Sequence, residues 1–395
     1  MKRFLLTAVM LAATPLAASA QSLFGTRGLG VPSEGYDARA RALSVNGVGL
    51  LGLSTSLVNP AEPAGLLRRG VTAAFQPWSG NTEFQGEDDQ IGATRFPLIS
   101  IMYPTRFGIF TLGYSGVLEQ TYSVIAEGEE ILGNDTVATQ DLVHNDGGIG
   151  QLRLGFARHL SNTLAFGVSV GVYTGNIDRG LSRTYPDTAL GLRDFETHRR
   201  WQYSGPQASL GMRWDPTPGM RVGASVTWSG ELTAKPEEGT TTEYTYDLPL
   251  QFAVGASGRL GSNWLAAVSG SWASWSTSDY RTPGDPDATA AEQQFTIGGG
   301  LEYQQLRWGN RVFPLRVGGR TSKLPFYQGS EEAASEWAVT GGIGLRLVED
   351  DFGPLAVADI GVERATREGL QSTAAPDGLK ESFWRFTVSL SLFGR

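Results

Sequence analysis

The chain has 395 residues, and its 40 acidic and 32 basic residues give a formal net charge of −8. An acidic chain with 10% aromatic residues is neither a general nucleic-acid binder, which needs clustered lysine and arginine, nor an intrinsically disordered protein. The absence of cysteine excludes disulfides and thiolate chemistry, and beyond the N-terminus no apolar run approaches the roughly 20 residues of a membrane-spanning helix.

The N-terminus has the pattern of a secretory signal peptide. Lys2 and Arg3 form a basic start, residues 4–13 are apolar, and Ala18-Ser19-Ala20 is a small-residue cleavage site. The apolar run is shorter than a membrane anchor requires. We therefore predict export, with removal of residues 1–20 and a mature chain that begins at Gln21.

Residues 21–68 lack any strand-like alternation. They are rich in glycine and alanine, and their apolar stretch, residues 42–58, is interrupted by serine and asparagine. A barrel of about 14 strands has a lumen too wide for its own side chains to fill. We therefore predict that residues 21–68 form a plug, or hatch, inside a barrel. A flexible periplasmic tail is the alternative.

From residue 69 to residue 395, apolar residues alternate with small or polar ones. Between Met220 and Trp228 every second residue is apolar, and the residues between them are Arg, Gly, Ser and Thr; the same pattern recurs at 164–172, 248–257 and 384–392. A period of two indicates β-strands. A small, polar second face with little lysine or glutamate favours a transmembrane barrel, which turns its apolar face to lipid and its polar face to the lumen.

The turn signals predict the number of strands. Six short turns are predicted at 103–106, 160–162, 215–219, 260–263, 308–310 and 349–353. Longer polar stretches lie between them at about 79–95, 127–140, 186–197, 236–242, 281–291, 328–335 and 368–379. Short periplasmic turns that alternate with long extracellular loops are typical of outer-membrane barrels. The fold class is therefore all-β: a 14-stranded antiparallel transmembrane β-barrel with an N-terminal plug.

Tryptophan placement predicts two aromatic girdles, one at each lipid headgroup level. Trp214, Trp264 and Trp308 lie beside short turns. The tryptophans toward the long loops are Trp201, Trp228, Trp272, Trp275 and Trp337.

The alternation also predicts which charged residues face the lumen. These are Arg153, Arg213, Arg221, Arg259, Arg316, Arg320, Arg346 and Arg385, with Glu302, Asp359 and Glu363. Arg213, Arg221, Arg259 and Arg346 lie near short turns and predict a basic zone at the periplasmic end. Such arginines either pair with lumen and plug carboxylates or leave one or two guanidinium groups to receive the carboxylate of a ligand.

Signals for catalysis or metal binding are weak. His159, Ser161 and Asn162 share one tight turn, where the hydroxyl and the imidazole cannot readily align with a substrate. Asp285, Asp287 and Glu292 lack the spacing of an EF-hand. We therefore predict no enzyme activity, no cofactor and no metal site.

Three short motifs lie between residues 36 and 65: Tyr36-Asp37-Ala38-Arg39-Ala40, Gly47-Val48-Gly49 and Asn59-Pro60-Ala61, about ten residues before the first predicted strand at Val71. This segment resembles the N-terminal hatch of the FadL superfamily of outer-membrane proteins, and its start also resembles the PorV/PorQ branch. The resemblance implies a 14-stranded barrel with Asn59, Pro60 and Ala61 as the plug motif. It also implies a lateral gate at a kink in the third strand, near residues 107–125, where Gly113 and Gly116 would permit it.

The resemblance implies a channel in the outer membrane of a Gram-negative-type bacterium for passive uptake of hydrophobic small molecules such as long-chain fatty acids or hydrocarbons. Its partners would be outer-membrane lipid and the hydrophobic ligand. The alternative is a PorV/PorQ-like accessory barrel that binds protein partners of a secretion or surface-attachment system.

Overall fold

The computed structural model describes residues 22–394 except 27, 53–54, 85, 133–134, 187–191, 276–292, 310, 326–333, 351–352 and 370–377. The predicted signal peptide, the start of the mature chain at Gln21, the polar stretch at 281–291 and the acidic residues Asp285, Asp287 and Glu292 lie outside the described residues. Among the described residues, no helix is long and apolar enough to cross a membrane.

Fourteen strands dominate the chain, and three of them are interrupted. In chain order they are β1 Gly70–Phe84, β2 Glu87–Pro104, β3 Ile109–Glu119 continued by Tyr122–Leu132, β4 Asp135–His159, β5 Leu164–Thr184, β6 Phe195–Thr217, β7 Met220–Ser229 continued by Glu231–Glu238, β8 Tyr244–Asp247 continued by Gln251–Leu260, β9 Trp264–Ala273, β10 Gln294–Tyr303, β11 Leu315–Lys323, β12 Ser335–Asp350, β13 Gly353–Gly369 and β14 Leu379–Phe393. Arg307–Trp308 and Arg311–Val312 form a separate small hairpin between β10 and β11.

Antiparallel pairing closes the strands into a cylinder. Each strand pairs with the next one along the chain, and β1 pairs with β14, so that Gly70 lies opposite Phe393. The prediction of a 14-stranded antiparallel β-barrel is confirmed. We call the end with the tight connections, such as 160–163 and 261–263, the short-turn end, and the opposite end the extended end.

The exterior of the barrel is apolar. In β14, Trp384, Phe386 and Val388 are exposed, whereas the residues between them, Arg385 and Thr387, are buried. Because successive side chains of a strand point to opposite faces, the predicted alternation is realised as an apolar outside and a polar inside. Such an exterior suits the acyl chains of a membrane.

Two tryptophans were assigned to the wrong surface. Trp201 and Trp275 do not join the outer girdle but are buried in an apolar cluster inside the extended end. In β6 the register is unbroken, so Trp201 shares the inner face with Arg213, twelve residues away. Trp228 and Trp337 are exposed as predicted.

Several of the predicted loops are strand. Of the described residues in these stretches, 79–84 belong to β1, 87–95 to β2, 127–132 to β3 and 135–140 to β4. Their polar composition reflects strands that continue past the apolar exterior, where both faces meet water. Pairing, for example between Glu129 and Ala138, supplies the backbone hydrogen bonds there.

Residues 22–68, the N-terminal segment, run along the inner face of the cylinder. Leu23–Thr26 forms a short 3₁₀ helix. The short α-helix α1 (Ala38–Ala42) is capped by Asp37, whose side chain accepts a hydrogen bond from the Ala40 N–H at 2.8 Å. The segment bonds to inward side chains and backbone all around the wall. These contacts are Ser22 with Glu381 (2.8 Å), the Ala38 N–H with Ser389 (3.2 Å), the Asn46 N–H with Ser269 (2.9 Å), the Leu51 N–H with Ser257 (2.8 Å) and Asn59 with the Met212 carbonyl (3.1 Å).

Candidate functional site

The wall of the barrel is incomplete between β2 and β3. The two strands pair from Pro104 opposite Ile109 up to Leu98 opposite Ser115, and the pairing ends there. Above this point, the rest of β2 pairs with β1 alone, and Tyr122–Leu132 pairs with β4 alone. We call the resulting gap the wall break. It begins within the apolar exterior, because Ile99 and Tyr114 beside it are exposed.

The N-terminal segment lines the wall break from inside. Val31–Pro32 pairs with Leu118 and Glu119 of β3, and the Ser33 N–H donates to the Val117 carbonyl at 2.7 Å. The approach is so close at Gly30 (φ +102°) that a Cβ there would lie 2.3 Å from the Glu119 carbonyl oxygen. Only glycine adopts this conformation at such a distance without strain.

One ion pair bridges the wall break. Arg95 of β2 donates to Glu119 of β3 at 2.6 Å, and its Nε donates to Gln76 at 2.6 Å. Both charged side chains are mostly buried. This is the direct polar link between the two strands where their backbones no longer pair.

A cavity of about 150 Å³ lies behind the wall break. Ser115, Gly116, Val117 and Leu118 of β3 form one side of it, and the N-terminal segment forms another. The remaining lining comes mainly from β7–β10 and mixes hydroxyl, amide and aromatic side chains: Ser225, Thr227, Gln251, Ser271, Trp275, Gln294 and Thr296.

A row of hydrogen-bonded side chains leads from the cavity to the edge of the wall break. Arg153 of β4 donates to Gln151 at 2.7 Å, and Gln151 donates to Ser115 at 2.8 Å. Arg153 also donates to the Leu57 carbonyl of the N-terminal segment at 2.9 Å. The row therefore couples the wall, the cavity and the N-terminal segment.

The wall formed by β10–β14 carries a network of ion pairs. Arg320 lies 2.6 Å from Glu336 and 3.1 Å from Glu363, and Arg367 lies 2.6 Å from Glu336. Nine charged side chains of this wall are buried: Glu302, Arg316, Arg320, Glu336, Asp359, Glu363, Arg367, Glu381 and Arg385.

The N-terminal segment joins this network. Arg39 bonds to Glu302 at 2.9 Å, and Arg41 lies 3.6 Å from Glu363. Arg41 also bonds to Glu34 at 2.5 Å, within the same segment. Charge pairing therefore fixes the segment to one side of the barrel.

The Asn-Pro-Ala motif lies at the short-turn end. Asn59 accepts a hydrogen bond from the Ala61 N–H at 2.9 Å and donates to Glu62 at 3.0 Å. Glu62 also accepts from the Gly49 N–H at 2.7 Å and lies 3.8 Å from Arg221. Burial raises the pKa of the Glu62 carboxyl to about 7, although Gly49, Arg221, Arg213 and Asn59 each act to lower it.

The four arginines predicted as one basic zone are divided between two cavities. Arg213 and Arg221 line a cavity of about 470 Å³ and both pair with Asp215, at 3.2 and 2.8 Å. Arg259 and Arg346 line a cavity of about 210 Å³. Arg346 is partly exposed and pairs with Glu349 at 3.0 Å.

The two glycines predicted at the third-strand kink have different surroundings. Gly113 pairs regularly on both sides, and a Cβ there would lie 2.5 Å from Leu57. Gly116 directly precedes a register shift between Gly116 and Leu118. The irregularity of β3 thus begins at Gly116, and the strand is interrupted again after Glu119.

The turn with His159 and Ser161 contains no nucleophile–base pair. Ser161 accepts hydrogen bonds from the N–H groups of Thr163 and Leu164, whereas His159 lies 3.2 Å from Arg213. Within the described part of the chain, no group of three or more acidic, histidine or cysteine residues is arranged to hold a metal ion.

Sequence reasoning missed Arg95, Glu119 and Gln151. Arg95 lies in a predicted polar stretch, and nothing in the sequence indicates that it pairs with Glu119 of another strand. The alternation that placed Arg153 inside also places Gln151 inside, two residues earlier, so parity was the usable signal.

No family model matches the chain, and no curated protein sequence matches it. Its structure is similar to that of a FadL homologue from Pseudomonas aeruginosa (TM-score 0.61, 12% identity, 92% of this chain and 99% of that one). It is also similar to the toluene transporter TbuX from Ralstonia pickettii (0.58, 18%, 92% and 99%) and the toluene transporter TodX from Pseudomonas putida (0.56, 14%, 92% and 99%). The predicted resemblance to the FadL superfamily is therefore confirmed at the level of fold.

Proposed function

We propose that this protein is an outer-membrane channel for passive uptake of hydrophobic small molecules, which bind in the lumen and leave sideways through the wall break into the membrane. The short-turn end faces the periplasm in this proposal, as in other outer-membrane barrels. The similar structures named above include two toluene transporters, which favours transport of a hydrophobic ligand over catalysis.

The observation that carries the proposal is that a cavity adjoins a gap in a membrane-facing wall. The cavity of about 150 Å³ is bounded by the same β3 residues at which pairing with β2 has ended. A closed barrel would force a ligand to leave along its axis. Here the exposed Phe96 and Ile99 beside the gap offer an apolar exit toward lipid.

The N-terminal segment acts as the plug in this proposal. Its contacts with strands all around the barrel keep it from leaving the lumen, and Val31–Pro32 covers the inner side of the wall break. The Arg95–Glu119 ion pair, at 2.6 Å, is then the latch that must separate when the gap widens. An ion pair is suited to this because it is strong when dry and weakens when water enters.

The test uses the fact that the chain has no cysteine. Arg95 of β2 and Glu119 of β3 face each other across the wall break, with their charged groups 2.6 Å apart. We expect an Arg95→Cys/Glu119→Cys variant, joined by a short bifunctional maleimide, to lose most uptake of radiolabelled toluene by cells that lack other hydrocarbon channels. A monofunctional maleimide should leave uptake unchanged.

The matched control is Ile101→Cys/Leu112→Cys, which joins two residues already paired on the same two strands. Cross-linking there should not affect uptake. Equal uptake by the cross-linked Arg95/Glu119 variant would rule out lateral release. If the unmodified protein neither takes up toluene nor retains any hydrophobic ligand on purification, the accessory-barrel alternative gains support instead.

A further inference from the structure

Among the described residues, Arg153 has no acidic partner, unlike the arginines of the ion-pair network. It is buried, with 7% of its surface exposed. Its recorded partners are the Leu57 carbonyl and the Gln151 amide oxygen, both neutral, and its Nε has no partner among the described residues. These two bonds use two of the five N–H donors that a guanidinium carries.

A buried cation without an anion is costly. Desolvation of a charged group is repaid only when an opposite charge and good hydrogen bonds replace water, as they do around Arg320. Arg153 instead borders the cavity of about 150 Å³. A ligand that brought its own negative charge to this position would supply the missing partner.

The other charged residue of the cavity does not supply that partner. Glu34 bonds to Arg41 at 2.5 Å and lies 3.7 Å from Arg320. Burial alone would raise the pKa of Glu34, but Arg320 and Arg41 outweigh it and hold this pKa below its usual value. Glu34 is therefore an ionised carboxylate that is already matched, and Arg153 is left unmatched.

The size and remaining lining of the cavity restrict the rest of the ligand. A volume of about 150 Å³ is enough to hold benzene in an apolar protein cavity. Tyr36 and Trp275 provide aromatic surface, and Val117 and Leu118 provide aliphatic surface toward the wall break. The cavity thus combines one cationic position with room for one aromatic ring.

We infer that the cavity is a binding site for small aromatic monocarboxylates, whose carboxylate is received by Arg153 and whose ring lies against the aromatic and aliphatic lining. This inference rests on the proposed function and narrows its ligand class. The row from Arg153 through Gln151 to Ser115 then leads from the carboxylate to the edge of the wall break, so the site lies at the start of the lateral route.

The test is calorimetric titration of the full mature barrel in detergent with three probes: sodium benzoate, neutral benzamide and toluene. In the unaltered protein, benzoate should bind about 10-fold more tightly than benzamide, because a charge-assisted hydrogen bond is stronger than a neutral one. In Arg153→Gln, benzoate affinity should fall about 10-fold or more, while toluene binding is retained. Arg153→Lys, which keeps the charge but loses the planar fork, should fall between the two.

The control variant is Arg158→Gln, which removes the same charge from an exposed position of the same strand and should leave all three affinities unchanged. Heat-modifiable migration in gels checks that each barrel is folded. If Arg153→Gln does not fold, the comparison of benzoate with benzamide in the unaltered protein decides.

Each result has a distinct meaning. Equal affinity for benzoate and benzamide, or an unchanged benzoate affinity in folded Arg153→Gln, would overturn the inference. Toluene binding without benzoate binding would overturn it while the proposed channel function stands. Failure of all three probes to bind would count against both.

Discussion

The two sides of the lumen are built on different principles. The β10–β14 wall buries nine charged side chains, and the arginines among them contact carboxylates. Arg320, for example, contacts both Glu336 and Glu363. The wall formed by β7–β9, which borders the cavity, faces inward mainly with small and neutral polar residues, such as Ser225, Thr227 and Ser271. The N-terminal segment lies between the two and is ion-paired to the charged wall through Arg39 and Arg41.

The charged wall is suited to holding the N-terminal segment in place, whereas the neutral wall is suited to binding a ligand. Buried ion pairs fix geometry, because breaking one leaves an uncompensated charge. Neutral hydroxyl and amide groups can exchange partners with water or a ligand at little cost. A channel that must retain its plug and release its cargo needs both kinds of surface, and here they are placed on different groups of strands.

The largest expected effect is on the charged wall. Arg320→Gln should destabilise the barrel by about 3 kcal/mol or more, because it leaves Glu336 and Glu363 with fewer cationic partners. Ser225→Ala in the β7–β9 wall should cost less than about 1 kcal/mol. Urea unfolding in phospholipid vesicles, followed by tryptophan fluorescence, gives both values. Similar midpoints for the two variants would remove the distinction between the walls.

An intermediate effect concerns the pH dependence of plug docking at the short-turn end. The pKa of Glu62 is raised from its ordinary value of 4.5 to about 7 in the docked state. A raised acid pKa means that docking binds a proton more tightly than the undocked state does, so this stabilisation is complete below about 4.5 and is lost as the pH rises through about 7. Openings in planar bilayers should therefore become more frequent between pH 5 and pH 8, a range that spans this transition.

Glu62→Gln should flatten this pH profile. The groups that face Glu62 are Arg221, Arg213 and Asn59, and His159 lies beside Arg213. Because imidazoles titrate in the same range, His159→Asn is the control, and it should keep the pH dependence. A profile that disappears in His159→Asn but persists in Glu62→Gln would assign the effect to the histidine.

The smallest effect is expected at Arg346. Its side chain and that of Glu349 are both nearly half exposed, at 43% and 46%, and they pair at 3.0 Å. Exposed ion pairs contribute at most about 1 kcal/mol. Arg346→Ala should therefore shift the urea midpoint little and leave ligand titrations unchanged. A loss as large as that of Arg320→Gln would extend the charged wall to the short-turn end.

Periodicity was sufficient for the barrel itself. The alternation in residues 384–392 correctly separated exposed Trp384 from buried Arg385, and the short turns gave the strand number. These features depend on one strand at a time, so a sequence records them directly. The same parity rule, applied from Arg213 back to Trp201, would have placed that tryptophan inside.

The wall break and the unmatched charge were beyond this reasoning. Where β2 and β3 stop pairing depends on how two strands meet each other and the N-terminal segment, which no single run of residues specifies. Arg153 and Arg213 look alike in the sequence, as inward arginines on neighbouring polar faces. In the structure both line cavities, but Arg213 pairs with Asp215, whereas the hydrogen-bond partners of Arg153 among the described residues are neutral.

The placement of Ser22 has a consequence for assembly. Its hydroxyl is bound by Glu381 and Arg367 near the extended end, whereas the same segment leaves the lumen at the short-turn end and continues directly into β1. The seam that completes the cylinder joins β1 to β14, the first and the last of the fourteen strands in chain order. Inserting the N-terminal segment into an already closed barrel would require desolvation of three charged side chains, those of Glu34, Arg39 and Arg41. We therefore expect the strands to assemble around this segment, with the β1–β14 pairing forming last.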